Sequence, residues 1–154
     1  MKLKTVETSL VVHAIAERDG KILLVQEKNR TWSLPTGSVE EGESIINAIK
    51  REVKEETGVE CEPIALFKLI HHHVPGIHFN TAEETILRMH YFFGVELIGE
   101  PNSTESEHTL RSGWFTFSEM EDLEVRTRHM FEHIETYFEA KQKNSFLRIE
   151  QIFV

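Results

Sequence analysis

Apolar residues dominate two short runs near the start of the chain, at residues 8–17 and 21–27. Both runs are rich in β-branched and aliphatic side chains and have the length of ordinary strands. Asp19-Gly20 lies between them, and this dipeptide is a strong signal for a tight hairpin turn. The pattern therefore predicts that the chain opens with two antiparallel strands.

The apolar period changes to that of a helix over residues 44–57. Ile45, Ile49 and Val53 recur every fourth residue and form one apolar stripe. Ser44 is a suitable N-cap, and Gly58 stands where a left-handed C-terminal cap is expected. We therefore predict one amphipathic helix with defined ends.

The rest of the chain alternates between strand-like and polar segments. WSLP at 32–35 leads into a loop at Gly37. The pattern predicts these later elements: strands at 61–70 and 85–98 separated by an irregular loop at 71–84, a polar loop at 99–112, a short strand at 114–117, a helical turn starting at Ser118, and a second helix at 126–141.

The stripe of the first helix turns from apolar to acidic along its length. At 100° per residue, Glu52 and Glu56 lie on the inward side, with Glu55 on its flank. Three carboxylates near a helix C-terminus repel one another and oppose the helix dipole. A divalent cation would offset this cost, and hard oxygen ligands suit Mg²⁺ or Mn²⁺. The alternative is a solvated acidic face paired with lysines.

Two further features of this region indicate a scaffold. Gly37 and Gly42 bracket a loop, as expected where a backbone approaches closely or φ is positive. Arg51 and Glu43 are predicted partners, since a planar guanidinium can hold a carboxylate with two hydrogen bonds.

Composition limits the class of protein without choosing a reaction. The 154 residues are enough for one domain, and the net charge of −9 with no basic run disfavours a nucleic-acid polymer as partner. Cys61 is the only cysteine, so no intrachain disulfide is expected and we interpret it as a small core residue. No transmembrane stretch or signal-peptide pattern is evident, and a cytoplasmic location with no membrane partner is the default expectation.

The stretch from residue 37 to residue 59, GSVEEGESIINAIKREVKEETGV, resembles the Nudix box at every fixed position. The matching residues are Gly37, Glu43, Arg51, Glu52, Val53, Glu55, Glu56, Gly58 and Val59. This resemblance to the Nudix hydrolase family, and within it to the MutT-like group, implies an α/β fold, an α/β/α sandwich with a mixed β-sheet between helices.

The resemblance also implies roles for the residues of the box. It implies that Gly37 offers its backbone carbonyl to a metal ion and that Glu52, Glu55 and Glu56 bind cations, Mg²⁺ or its substitute Mn²⁺. Glu52 is our first choice as the base that activates water, with Glu56 as the second catalytic carboxylate. The family often adds a carboxylate from a loop before the late Trp-containing strand. Glu105 and Glu107 are the candidates here, and we prefer Glu107.

Three functions are compatible with this resemblance. The leading hypothesis is Mg²⁺-dependent hydrolysis of a nucleoside diphosphate linked to another moiety, namely a nucleoside tri- or diphosphate, as in MutT-like pyrophosphohydrolases. An ADP-ribose or nucleotide-sugar pyrophosphatase is the second, and a catalytically silent nucleotide sensor is the third. No Asn counterpart to the residue that reads an oxidised purine is found around Arg126-Thr127, so a preference for oxidised guanine is not predicted.

Two remaining segments carry weaker expectations. Consecutive residues of a strand alternate faces, so His71-His72-His73 cannot converge on one metal ion. We expect one or two exposed imidazoles, which would contact a substrate phosphate or base if they have a function. Residues 1–140 are assigned to the domain, and the apolar extension 141–154 is expected to pack on it or on the partner of a homodimer.

Overall fold

The computed structural model describes residues 7–102 and 105–147. The strands are β1 (Thr8–Arg18), β2 (Lys21–Glu27), β3 (Trp32–Ser33), β4 (Thr36–Ser38), β5 (Glu60–Pro75), β6 (Thr85–Ile98) and β7 (Thr109–Phe115). The helices are α1 (Ile45–Thr57), α2 (Phe117–Glu121) and α3 (His129–Lys143), and a 3₁₀ turn spans Gly76–Phe79.

β1 is the strand on which the sheet is organised. It runs parallel to β6 from Thr8 to Ala16 and antiparallel to β4 from Val11 to His13. Its last two residues pair with β2, which in turn pairs with β3 and β7. The order β3-β2-β1-β6-β5, with β4 and β7 attached at the side, makes one mixed seven-stranded sheet.

The two faces of the sheet are covered by different helices. Val12 and Ala14 of β1 pack in a cluster with Ile49 and Val53 of α1. Ile15 points to the opposite face and belongs to a second cluster that includes residues of α3, Met130 and Ile134. The chain is therefore an α/β sandwich with a mixed sheet between α1 and α3, as the resemblance implied. Cys61 is buried in the first cluster, so its interpretation as a core residue is confirmed.

The early elements agree with the sequence predictions, and several later boundaries do not. The strand predicted at 61–70 continues to Pro75, because residues 71–75 pair with Thr85–Met89 of β6. The predicted loop at 71–84 is therefore wrong over its first five residues. β7 begins at Thr109 inside the predicted loop at 99–112, and α3 occupies 129–143 rather than 126–141. The helical turn expected from Ser118 begins one residue earlier, at Phe117.

The beginning of the C-terminal extension contacts the domain. Leu147 N donates a hydrogen bond to the carbonyl of Leu66 at 2.9 Å, and the ring of Phe146 lies 6.0 Å from that of Tyr137. Residues 148–154 of the predicted extension lie outside the described residues, so the boundary near 140 and the homodimer stay predictions. No helix among the described residues is long and apolar enough to cross a membrane.

Candidate active site

The capped helix α1 sets the positions of the box carboxylates. The Ser44 side chain accepts a hydrogen bond from Asn47 N, and Gly58 has φ of 79°, so both predicted caps are confirmed. With the helix fixed at each end, Glu52 and Glu56 face inward, each 9% exposed. Glu55 is exposed on the flank. The acidic part of the stripe therefore lies against the protein and is not a freely solvated face.

The backbone of Gly37 lies directly against the Glu52 carboxyl group. A Cβ atom at this position would lie 1.9 Å from Cδ of Glu52 and 2.0 Å from its Oε1. The close approach predicted for this glycine is therefore confirmed. Gly42, at the other end of the loop, has φ of 75° with open space around it, so it serves the turn instead.

Arg51 connects the loop to the helix, as the sequence predicted. Its Nε donates to Oε1 of Glu43 at 2.8 Å, and its Nη2 donates to Oε2 at 3.1 Å. The same guanidinium donates to Oε1 of Glu52 at 2.7 Å, to Oε2 of Glu55 at 3.3 Å and to the carbonyl of Ser38 at 2.9 Å. These hydrogen bonds lower the pKa of Glu43 and raise that of Arg51, so one cation is shared among three carboxylates.

Glu56 has the most unfavourable environment of the box carboxylates. Burial, and then the nearby charge of Glu52, raises its pKa from 4.5 to about 9. A backbone hydrogen bond from Thr36 opposes this shift in part. Its Oε2 is buried with no hydrogen-bond partner among the described residues. Burial also raises the pKa of Glu52, although Arg51 acts in the opposite direction.

The two loop candidates lie in different surroundings. Glu105 forms an ion pair with Lys28, which lowers its pKa. Glu107 lines a cavity of about 460 Å³ together with Arg51, Glu52 and Glu55. Of the two, Glu107 is the one that the fold brings beside the box.

The carboxylates are gathered, but their side chains do not already form a ligand shell. Within residues 7–102 and 105–147, no three His, Cys, Asp or Glu side chains lie at metal-ligand spacing. The hydrogen bonds of Arg51 to Glu52 and Glu55 account for this arrangement, since they direct both carboxylates toward the guanidinium. A cation here would have to replace part of that ion-pair network.

A larger cleft of about 1080 Å³ opens beside Gly37, Glu52 and Glu56. Its volume is in the range of small-molecule sites. Basic and imidazole side chains line the same cleft: His13, Lys68, His72, Arg88, His90, Arg126 and His133. Of these, the sequence analysis assigned a conditional role in substrate contact to His72 alone. Lys68, Arg88 and Arg126 place positive charge next to the acidic helix of a protein of net charge −9.

Strand register explains how these residues meet. On β5, Lys68 pairs with Phe92 and His72 pairs with Arg88; on β1, His13 also pairs with Phe92. Side chains at every second position share one face of a sheet, so the register brings them to one side. The sequence signal for these cleft residues was the spacing of polar residues at every second position within β5 and β6. This spacing indicates a shared site only when the pairing register of the strands is known.

The histidine triplet behaves as strand alternation requires. His72 lines the cleft, whereas His71 and His73 do not, and all three are exposed. The expectation that they cannot converge on one ion therefore agrees with the structure.

Comparison with known proteins identifies the family. The NUDIX domain profile matches residues 7–135. Over 59 residues the chain is 46% identical to 8-oxo-dGDP phosphatase NUDT18 of Homo sapiens, a match covering 36% of this chain and 18% of that protein. The chain thus spans about a fifth of the length of this curated relative.

Solved structures extend the similarity over most of the chain. A NUDIX hydrolase from Nitrosomonas europaea superposes with a TM-score of 0.70 at 30% identity, covering 88% of this chain and 91% of that one. An ADP-ribose pyrophosphatase from Streptococcus suis gives 0.66 at 26% identity, covering 87% and 92%. With the box residues placed together on α1 and its loop, the chain belongs to the NUDIX hydrolase family.

Proposed function

We propose that this protein hydrolyses a phosphoric anhydride bond in a nucleoside diphosphate or triphosphate, with Mg²⁺ as its cofactor and Mn²⁺ as a substitute. The observation that carries the proposal is the pair Glu52 and Glu56. Two adjacent carboxylates with raised pKa values, one of them with an orphaned oxygen, border a cleft that also holds cations. Perturbed carboxylates in a cleft are a recognised sign of a catalytic site.

The donor set fits a hard divalent cation. Oε2 of Glu56 has no partner among the described residues, and an ionised carboxylate in that position requires a compensating charge. The residues proposed to hold the ion are Gly37 through its carbonyl, with Glu52, Glu55, Glu56 and Glu107. Bound there, Mg²⁺ supplies charge neutralisation for the phosphates and lowers the pKa of a coordinated water.

Glu52 is proposed to accept the proton of the attacking water. Burial raises the pKa of its carboxyl group, which brings a carboxylate closer to the range in which a base works at neutral pH. Arg51 donates to Oε1 of Glu52 at 2.7 Å, which orients the carboxylate until a cation replaces part of this network. Arg51 and Glu43 act as positioning residues in this scheme.

The cations of the cleft are proposed to orient the anionic part of the substrate. Lys68 and Arg88 have no carboxylate partner within 4.0 Å among the residues that the structure describes, whereas Arg126 pairs with Glu27 at 3.1 Å. Arg126 also lowers the pKa of Arg88, after burial, so positive charge is concentrated there. A phosphate group in the cleft would relieve this repulsion.

Two kinds of substrate have specific support. The relative named 8-oxo-dGDP phosphatase favours a nucleoside diphosphate, in line with the leading hypothesis from the sequence. The structural neighbour named ADP-ribose pyrophosphatase favours ADP-ribose, or a nucleotide sugar, as the second candidate.

A substrate panel tests the proposal. Nucleoside tri- and diphosphates, 8-oxo-dGDP, ADP-ribose and nucleotide sugars are incubated with Mg²⁺ or with EDTA, and all products are separated by anion-exchange chromatography. Tri- and diphosphates release pyrophosphate or phosphate, whereas ADP-ribose and nucleotide sugars release a nucleoside monophosphate and a sugar phosphate. Metal-dependent release from a di- or triphosphate supports the leading function, and a preference for ADP-ribose supports the second. Binding without turnover of any member would contradict hydrolysis and favour a nucleotide sensor.

A further inference from the structure

A hydrogen-bonded relay runs from the carboxylate site to the floor of the cleft. Thr36 is its first member, because its backbone N–H donates to Glu56 while its hydroxyl contacts Val12 and His13. Oγ1 of Thr36 lies 3.0 Å from the carbonyl of Val12 and 3.0 Å from Nδ1 of His13. Nε2 of His13 in turn lies 2.9 Å from Nδ1 of His90.

The contact between Thr36 and Val12 has a direction that its atoms fix, since a carbonyl only accepts. We assign the single hydroxyl proton of Thr36 to this contact and derive the two imidazole tautomers from that assignment. The same hydroxyl can then only accept from His13, which places a proton on Nδ1 of His13. A neutral imidazole carries one N–H, so Nε2 of His13 is an acceptor.

The same reasoning fixes the next ring. Because Nε2 of His13 accepts, Nδ1 of His90 must donate to it, and Nε2 of His90 is left with its lone pair. That nitrogen has no hydrogen-bond partner among the described residues and is not sealed from solvent, whereas the ring lines the cleft. A neutral acceptor is therefore part of the cleft lining, two residues along β6 from Arg88.

The environment keeps both rings neutral. Burial, followed by the charge of nearby groups, lowers the pKa of His13 to about 3. Burial and then Arg88 lower the pKa of His90 to about 4. The His13 ring also stacks on Phe92 with centroids 4.3 Å apart, which holds its orientation.

We propose that Nε2 of His90 is a specificity-determining acceptor that receives a hydrogen bond from an N–H group on the base of the nucleotide substrate. This inference rests on the proposed function, since it assigns the base to this part of the cleft. A lone pair repels phosphate oxygens, so the anionic part of the ligand belongs at Lys68 and Arg88 instead. A base N–H satisfies the acceptor, whereas a base that presents its own lone pair there leaves two acceptors facing each other.

Pairs of nucleotides in which one member has an additional N–H donor test the assignment. Guanine has an acceptor at N7 where 8-oxoguanine has N7–H and, beside it, a C8 carbonyl, so dGDP and 8-oxo-dGDP form one pair. ADP and purine riboside diphosphate, which lacks the 6-amino group, form the second. In the wild type we expect kcat/KM to favour the donor-bearing member of at least one pair by about tenfold, the worth of one well-placed hydrogen bond.

His90→Phe keeps an aromatic ring and removes the acceptor. We expect it to bring the two members of the preferred pair within about twofold, because no acceptor is left to tell them apart. The matched control is His71→Phe, an exposed position of β5 outside the cleft lining, which should retain the wild-type preference. A preference that survives in His90→Phe, or a wild type that hydrolyses all four nucleotides equally well, overturns the inference and leaves the proposed function standing.

Two measurements keep the test independent of turnover and of the fold of the variant. If no nucleotide is hydrolysed, the proposed function fails. The inference is then tested by calorimetry, which compares the affinities of wild type and His90→Phe for the two members of each nucleotide pair. Nitrogen-15 NMR of the wild-type histidines reports the tautomers directly. We expect the proton of His90 on Nδ1, and a proton on Nε2 in the neutral ring would overturn the assignment.

Discussion

Gly37 and Glu52 are in such close contact that no larger residue fits at position 37 without moving the carboxylate. A Cβ atom at Gly37 would lie 1.9 Å from Cδ of Glu52. Since φ of Gly37 is not among the positive values of the chain, the obstacle to alanine here is the carboxyl group and not the backbone conformation. The methyl group added by a Gly37→Ala substitution should therefore displace the Glu52 carboxyl group, which allows the importance of its position to be tested.

We predict that Gly37→Ala lowers kcat by about 100-fold or more while the protein stays folded, because a misplaced base loses its geometry with the attacking water. The measurement is the hydrolysis rate on the preferred substrate, together with circular dichroism. Gly42→Ala is the control, since its φ of 75° strains an alanine but nothing lies within 4 Å of the added Cβ. Wild-type activity in Gly37→Ala would contradict the assignment of Glu52.

Glu56→Gln should remove most activity and leave the fold intact. The amide keeps the shape of the side chain but cannot supply the negative charge that a cation needs, so we expect a loss of about 100-fold or more in kcat/KM. Activity is compared with wild type over a range of Mg²⁺ concentrations, with Glu60→Gln, at an exposed position of β5, as the control. Turnover within about twofold of wild type would exclude Glu56 from the metal site.

The raised pKa of Glu56 predicts how the stability of the metal-free protein depends on pH. The pKa of Glu56 is raised from 4.5 to about 9, so the folded protein holds a proton between these pH values that the unfolded chain releases. The contribution of the protonated Glu56 carboxyl group to the stability of the folded state is fully present below pH 4.5 and is lost as pH rises through about 9. In EDTA, the free energy of unfolding should fall with rising pH by up to about 1.4 kcal/mol per pH unit.

Denaturant unfolding at several pH values between these limits measures this slope. Glu56→Gln should flatten it and should be more stable than wild type at the alkaline end, since the buried charge is gone. Mg²⁺ should flatten the slope of the wild type by stabilising the ionised form. An unchanged slope in the variant would assign the pH dependence to other groups.

Arg51→Lys should weaken the link between the box loop and α1. A lysine cannot reproduce the two hydrogen bonds to Glu43 and the contact with Glu52, so we expect a loss of about 1–2 kcal/mol in stability and a lower kcat. Thermal unfolding and steady-state kinetics are measured side by side. Lys50→Arg, on the outer side of the helix, is the control, and equal behaviour of the two variants would contradict a positioning role.

Deletion of residues 145–154 should destabilise the domain or dissociate a dimer. The deletion removes the packing of Phe146 on Tyr137 and the hydrogen bond from Leu147 to Leu66. Phe146 is partly buried, so its loss should cost less than the roughly 1.5–3 kcal/mol of a fully buried aromatic side chain. An unchanged melting temperature and an unchanged mass in solution would show that the extension contributes to neither.

Local signals in the sequence were enough to predict α1, its two caps and the inward position of Glu52 and Glu56. The caps at Ser44 and Gly58, the apolar period and the acidic face all lie within one continuous segment, so no distant contact was needed to interpret them. The pairing of Arg51 with Glu43 could be predicted for the same reason, since both belong to that segment.

The rest of the cleft depended on contacts between distant parts of the chain. His13 and His90 are separated by 77 residues, and only the parallel register of β1 and β6 brings their rings together. Residues 71–75 have the composition of a loop, and their pairing with β6 overrides that local preference. Register cannot be obtained from single segments, which is why the acidic side of the site was predicted and the imidazole side was not.

The guanidinium of Arg51 has a consequence for the metal site that we propose. Glu52 and Glu55 already contact a positive group that belongs to the chain itself. A cation bound by these carboxylates would exchange with an internal counter-charge, so its affinity would depend on how readily Arg51 yields its contacts with them.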